Sequence, residues 1–458
     1  QNTCHLSERR LQIKVGLVVV PIESPNPSFF IFNLLIFINT ERMKKTIFYF
    51  LALTASFTIQ AQEYVNQVLI LNEGYFDYTN NEIVEPASIG SYNPATEVYT
   101  EVIELDGMRF GSDLIIDNEV YYVAADTKIF KINLNTHEII SSVDCEGVRN
   151  LAVVGNKLLA TRGEYLVDFD SYLHVYSTED LSLELALDNE SGPKWATQNI
   201  VSIGNKVYFA INNAYEFGNE KGIIGIYDAQ TSVYEEIDLG PEATNPDNLV
   251  RSGEFLYTVN NKDWSGASIS KLAIDLSEYE TVSLASVSTG CGTSALRDDK
   301  MVYQISMESS LNEFDLNLMN NSGPVNGTFM NFYELKQNPV SSEFYTSETD
   351  YFSFGKVHIY NDQNIETGLF EVGINPGTIV FDVRSSAGIV EEFSNVEVYP
   401  NPVKNNLYIS DSSSEKIIRN LTGEEVLRFT GASVETKNLS EGMYFIELNN
   451  NSIPFVKN

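Results

Sequence analysis

Gly204-Asn205-Lys206-Val207-Tyr208-Phe209, followed after a loop by Gly225-Ile226-Tyr227-Asp228, is the stretch that decides the fold. The first unit puts a Gly-Asn pair where a tight hairpin needs positive φ, then an apolar run suited to a strand. The second is another strand ending on a turn-forming residue. The first unit recurs at Asp117-Asn118-Glu119-Val120-Tyr121-Tyr122, Gly155-Asn156-Lys157-Leu158-Leu159-Ala160, Ser252-Gly253-Glu254-Phe255-Leu256-Tyr257 and Asp298-Asp299-Lys300-Met301-Val302-Tyr303. The second recurs so that Asn93, Asn133, Ser177, Asp228, Asp275, Asp315 and Asn361 are seven equivalent anchors, with steps of 40, 44, 51, 47, 40 and 46 residues. That interval fits a four-stranded blade and its loops, and seven copies predict an all-β chain built as a seven-bladed β-propeller.

Closure of the ring is also legible. Val68-Leu69-Ile70-Leu71 leads into the first unit with no inner strand before it, and Ile379-Val380-Phe381-Asp382-Val383 follows the seventh. The two ends are therefore expected to share one blade, so that residues 63–390 form a single propeller without a free edge. Upstream, Met43-Lys44-Lys45 and the apolar run Ile47 to Ile59 read as a signal peptide over 43–61, cleaved after Ala61, because the run is too short for the ~20 residues of a membrane span. Residues 1–42 read as an upstream extension.

The 458 residues carry 29 Lys+Arg against 63 Asp+Glu, a formal charge of -34. Removing residues 1–61 leaves 23 against 60, or -37. Such a surface repels phosphate backbones, so nucleic acid is excluded as a partner. Four His and three Cys leave little for an imidazole–thiolate centre, and Val167-Asp168-Phe169-Asp170 lacks the Gly and bidentate Glu of a calcium loop, so neither a metal nor a cofactor is expected. Cys145 and Cys291, the two cysteines of the mature chain, read as separate buried thiols. Neither a Gly-x-Ser-x-Gly elbow nor a His-Glu-x-x-His pair is present, so no catalytic residue is assigned.

In a propeller, the loops between second and third strands and those between blades open on one face around the central axis. Here they hold rings and polar groups in unusual number: Asn72, Glu73, Tyr75, Phe76, Arg109, Phe110, Arg149, Arg162, Tyr165, Trp195, Tyr215, Phe217, Trp264 and Tyr351. Rings for stacking with a few orienting polar groups make a ligand platform, and these fourteen residues are the candidate ligand-binding set. The alternative is that each ring folds back over its blade as a local core.

Beyond Phe393 the composition changes. Val398-Tyr399-Pro400-Asn401-Pro402, Leu421-Thr422-Gly423-Glu424-Glu425-Val426 and Leu439-Ser440-Glu441-Gly442-Met443-Tyr444 precede a short terminal strand ending in Lys457. Residues 394–458 resemble the C-terminal sorting domain of type IX secretion substrates in Bacteroidota, which implies a small β-sandwich read by the type IX secretion machinery and an extracellular product, secreted or attached to the outer face of the outer membrane. At the other end, Leu71-Asn72-Glu73-Gly74-Tyr75-Phe76 and Tyr92-Asn93-Pro94 resemble the surface cobalamin-binding propellers of Bacteroidota, a branch of the YncE-like group. That resemblance implies capture of cobalamin or a related corrinoid, or another small ligand, for a TonB-dependent outer-membrane transporter. A non-enzymatic binding propeller is the leading expectation. A propeller-scaffold enzyme, such as a lyase or lactone hydrolase, and a surface adhesion module are the alternatives.

Overall fold

The computed structural model describes residues 62–262, 266–284, 289–306, 308–386, 398–410, 415–421, 423–448 and 451–458. The signal-peptide and upstream readings therefore lie outside the described residues. Strands from Gln62 to Ser386 build seven four-stranded antiparallel sheets. Blade 2 shows the plan: Gly111–Asp117, Val120–Ala125, Lys128–Asn133 and Ile139–Asp144 pair in chain order from the axis outward. Blades 3 to 7 repeat it, with inner strands Val148–Val154, Thr197–Ile203, Pro246–Ser252, Thr289–Arg297 and Glu334–Gln337. No helix long and apolar enough to cross a membrane occurs among the described residues.

The two repeated units owe their form to turn chemistry. In the first, the residue that turns the inner strand into the second has positive φ: Asn118 at 54°, Gly155 at 60°, Gly204 at 61°, Gly253 at 58° and Asp298 at 53°. In the second, the anchor side chain accepts backbone N–H groups that the turn would otherwise leave bare. Asp228 Oδ1 takes Gln230 N and Thr231 N, both at 2.9 Å; Asn93, Asn133, Asp315 and Asn361 likewise take two each, Asp275 Oδ1 takes Ser277 N, and Ser177 Oγ takes Glu179 N. The seven anchors are thus seven turn caps.

Each middle strand buries both faces, which is why its apolar run is continuous instead of alternating. Tyr121 and Val123 pack toward blade 1, with Leu69, Leu71 and Ile89, whereas Tyr122 and Ala124 pack toward blade 3, with Val148, Leu151 and Leu158. Phe209 and Tyr208 divide in the same way between blades 3 and 5. Seven such clusters fill the seven junctions, the last joining Tyr345, Val357 and Ile359 of blade 7 to Val68, Ile70 and Ile379.

The chain ends meet in blade 1. Its sheet runs Pro376–Ser386, Gln62–Asn72, Ser88–Asn93, Val98–Glu104, so the inner strand comes from the far end of the ring. Val68 lies opposite Phe381 and Ile70 opposite Ile379. This inner strand sits against Glu334–Gln337 on one side and Gly111–Asp117 on the other. Inner strands are also stitched across junctions by side chains: Leu151 N donates to Asp113 Oδ2 at 2.7 Å, Leu249 N to Asn199 Oδ1 at 2.9 Å, and Asn248 Nδ2 to Ser294 Oγ at 2.7 Å. Cys145 is a buried free thiol; the side chain of Cys291 lies outside the described residues.

The tail is a small sandwich. A sheet of Val398–Tyr399, Asn406–Ile409 and Ser433–Glu435 and a sheet of Glu425–Thr430, Glu415–Asn420, Gly442–Leu448 and Asn451–Lys457 share a core of Leu407, Ile409, Ile418, Ile446 and Phe455.

A chain ended at residue 377 loses the closing strand and with it two junction cores. Its circular-dichroism melt is expected to be broad and non-cooperative, whereas a chain ended at residue 390 melts in one sharp transition. Identical melts for the two would show that the ring does not depend on closure.

Candidate functional site

The loop segments of blades 1 to 4 bring rings and guanidinium groups into alternation. Phe76 lies 5.7 Å from the Arg109 guanidinium carbon, Arg109 lies 5.4 Å from the Phe110 ring, Phe110 lies 5.5 Å from Arg149, and Arg149 lies 4.6 Å over Tyr215. The row crosses four blades, one residue or pair from each. Its cations are held edge-on by carboxylates, which leaves their planes for stacking. Arg109 grips Asp126 through Nε and Nη2, at 3.0 and 2.6 Å to its two oxygens, while Arg149 Nε donates to the Gly163 carbonyl at 2.6 Å and Nη2 meets Glu164 at 3.4 Å. Tyr215 is fixed by Gln198 Nε2, 2.7 Å from its hydroxyl, and by packing on Phe169, Tyr172 and Ala196. All five members of the row are partly exposed.

Two further ring contacts continue the face toward blade 7: Tyr75 meets Phe352 edge-on at 5.5 Å, and Tyr333 meets Tyr351 at 5.6 Å. Tyr351, Phe352, Tyr165 and Phe217 are exposed, the last to 70 %.

Below the row, Glu73, just after the second strand of blade 1, and the inner strands of blades 2 and 7 carry charges that act across the axis. The Glu73 carboxyl accepts the Tyr333 hydroxyl at 2.9 Å, and Lys336 pairs with Glu334 at 3.0 Å. Loss of water among the inner strands pushes Glu73 up to about 7, against the Tyr333 hydrogen bond and with Glu334 adding to the rise. The same cause takes Glu334 to about 7, opposed by Lys336, and Asp113 to about 6, opposed by the Leu151 N–H and Lys336. Lys336 is held above the usual ammonium range by Glu334.

Three sequence-selected residues serve the fold. Asn72 is buried, donating to Ser88 Oγ and the Tyr99 hydroxyl. Arg162 is buried as well: its guanidinium donates to the carbonyls of Glu146 and Ser171 and lies 4.0 Å over Phe169, within blade 3 and its flanking loop, while its backbone N–H donates to Thr197 Oγ1 of blade 4. Trp195 packs on the junction core of blades 3 and 4, with the Lys221 ammonium 5.0 Å from its ring. Trp264 lies outside the described residues. Sequence reasoning missed Asp113, Tyr333, Glu334 and Lys336. A signal existed for the first, because Asp113-Leu114, Asn150-Leu151, Asn199-Ile200 and Asn248-Leu249 stand at equivalent inner-strand positions beside register shifts. No group of His, Cys, Asp and Glu suited to a metal occurs among the described residues.

The tail sandwich follows the last described strand of the ring after residues 387–397. Residues 397–458 match the secretion system C-terminal sorting domain. With this type IX sorting domain, the chain is an exported protein, secreted or attached at the cell surface. A search of curated proteins returns no match. Among solved structures, the chain is similar to the extracellular domain of BT4673 from B. thetaiotaomicron (13% identity, 87% of this chain and 59% of that one, TM-score 0.47). It is also similar to the dihydro-heme d1 dehydrogenase NirN (13%, 82% and 76%, 0.46) and to BamB from Moraxella catarrhalis (10%, 70% and 87%, 0.43).

Two outcomes follow from this geometry. Trp195→Ala is expected to lower stability by about 2–3 kcal/mol, read by denaturant unfolding, because a core-packed ring is removed. Glu73, Glu334 and Asp113 hold protons more tightly folded than unfolded, so their contribution is present at pH ~4 and lost as pH rises through 6 to 7. Thermal midpoints should therefore fall from pH 5 to pH 8, and Glu73→Gln should flatten part of that slope. A midpoint that rises over this range would refute the assignment.

Proposed function

We propose that this chain is a non-enzymatic, ligand-binding propeller delivered to the cell exterior, and that its ligand stacks on the loop face of blades 1 to 4. The observation that carries the reading is the Phe76–Arg109–Phe110–Arg149–Tyr215 row. Planar cations and rings presented in sequence, each fixed from behind by a carboxylate, a carbonyl or a packed neighbour, suit a broad flat ligand more than a flexible one. A corrinoid is the first such ligand to test, since its macrocycle is wide and flat and its rim carries amides that the polar groups of this face could orient. Delivery of that ligand to a TonB-dependent outer-membrane transporter is the role that goes with it. The domain limits that serve this function are a signal peptide over 43–61, the propeller over 63–390 and the sorting domain over 394–458.

Titration of the mature protein with cyanocobalamin, followed by visible absorbance, is expected to saturate. Phe110→Ala and Arg149→Ala should each weaken binding roughly ten-fold, about 1–2 kcal/mol for a lost ring or cation in a stacked row. Trp195→Ala should leave the affinity within two-fold. Saturation that ignores Phe110 and Arg149 would place the ligand elsewhere, and no saturable change would remove the corrinoid. Deleting residues 394–458 is expected to keep the propeller in the periplasm, read by cell fractionation.

A further inference from the structure

We infer that Glu73 sets the charge preference of the loop face: a flat ligand stacked on the row presents a cationic or strongly hydrogen-bond-donating group to the Glu73 carboxylate. This inference rests on the stacking reading and adds the ligand's chemistry to it.

Glu73 stands where the row meets the axis. Its backbone is pinned on both sides, since its N–H donates to the Asn375 carbonyl at 2.8 Å and its carbonyl accepts Gly111 N at 3.2 Å. Oε2 is held by the Tyr333 hydroxyl, and Oε1 lies over bare Gly377, where a Cβ would stand only 1.9 Å away. No donor among the described residues reaches Oε1.

The neighbouring charges are already engaged. Asp126 holds Arg109, Glu164 holds Arg149 and Glu334 holds Lys336, while Asp113 takes the N–H groups of Leu114 and Leu151 and Asp247 takes that of Asn248. Tyr333 takes one oxygen of Glu73, and the other, over Gly377, is left for something else. Arg149 reaches it by charge without a hydrogen bond, and Glu334 repels it. A positive or donating group on the ligand would relieve that repulsion and complete the carboxylate's hydrogen bonding, in an enclosure where each such bond counts for more than in water. Protonation of the carboxyl would withdraw the attraction, and its burial-raised value of about 7 puts that loss just below neutral pH.

Two flat chromophores that keep their charge between pH 5.5 and 8 test this on the mature chain in ~0.15 M salt, where surface attraction is screened: methylene blue, a permanent cation, and riboflavin, which is neutral. The expected result is that methylene blue binds about ten-fold more weakly at pH 5.5 than at pH 8, that Glu73→Gln shows the weak affinity at both, and that riboflavin responds to neither change. Glu82→Gln, at an exposed carboxylate, controls for net charge and should alter nothing. If Phe110→Ala abolishes binding of both dyes while Glu73→Gln leaves the affinity and pH response of methylene blue intact, this inference fails and the stacking reading survives. If the wild type binds neither dye, both fail together.

Discussion

A blade whose second strand is buried on both faces cannot be stable alone; it needs a neighbour on each side, and only a closed ring supplies one to every blade. In this protein that requirement falls on one strand. Pro376–Ser386 completes the sheet of blade 1 and lies between the inner strands of blades 7 and 2. Without it, Val68, Ile70 and Leu71 on one side and Tyr345 and Val357 on the other face water. The seven junction cores are therefore coupled, although each is local in composition. Side-chain stitches such as Asp113 to Leu151 N add direction to that coupling, because they satisfy backbone groups freed by the register shifts in the inner strands.

The same closure builds the candidate site. Phe76 enters from the first blade, Arg109 and Phe110 from the loop before the second, Arg149 from the third and Tyr215 from the fourth, so no segment of sequence contains the row. Its spacing is a property of the angle between blades. Glu73 lies beside the closing strand, against Gly377, so the face and the closure meet at that residue. Residues that look alike by loop position divide by what backs them: Arg149 rests on a carbonyl and a carboxylate at the face, whereas Arg162, one strand away, is drawn inward by the carbonyls of Glu146 and Ser171.

What could be read in advance was what depends on near neighbours in the chain. The anchors Asn93 to Asn361 are caps of their own turns, the Gly-Asn pairs set a local φ, and the tail's motifs are contiguous, so blade number and export address were legible. The packing of loop residues was not, because it depends on contacts distant in the chain: Asn72 is buried on Ser88 and Tyr99, and Trp195, partly exposed like Phe76 and Phe110, rests on the junction core of blades 3 and 4. The charges below the row were missed for a related reason. Glu334 and Lys336 sit on a four-residue strand with no alternation to mark it, and their pairing with each other beneath Glu73 comes from the ring.

The claim that everything functional here converges on is that the loop face of blades 1 to 4 receives the ligand. Amide hydrogen exchange of the mature chain, with and without saturating cyanocobalamin, tests it without altering a residue. The account predicts slower exchange within residues 72–88, 105–110, 145–150 and 212–222 and no change in the turns at 94–97, 134–138 and 361–365 on the opposite face. Protection confined to those opposite turns, with the four loop segments unchanged, would contradict it.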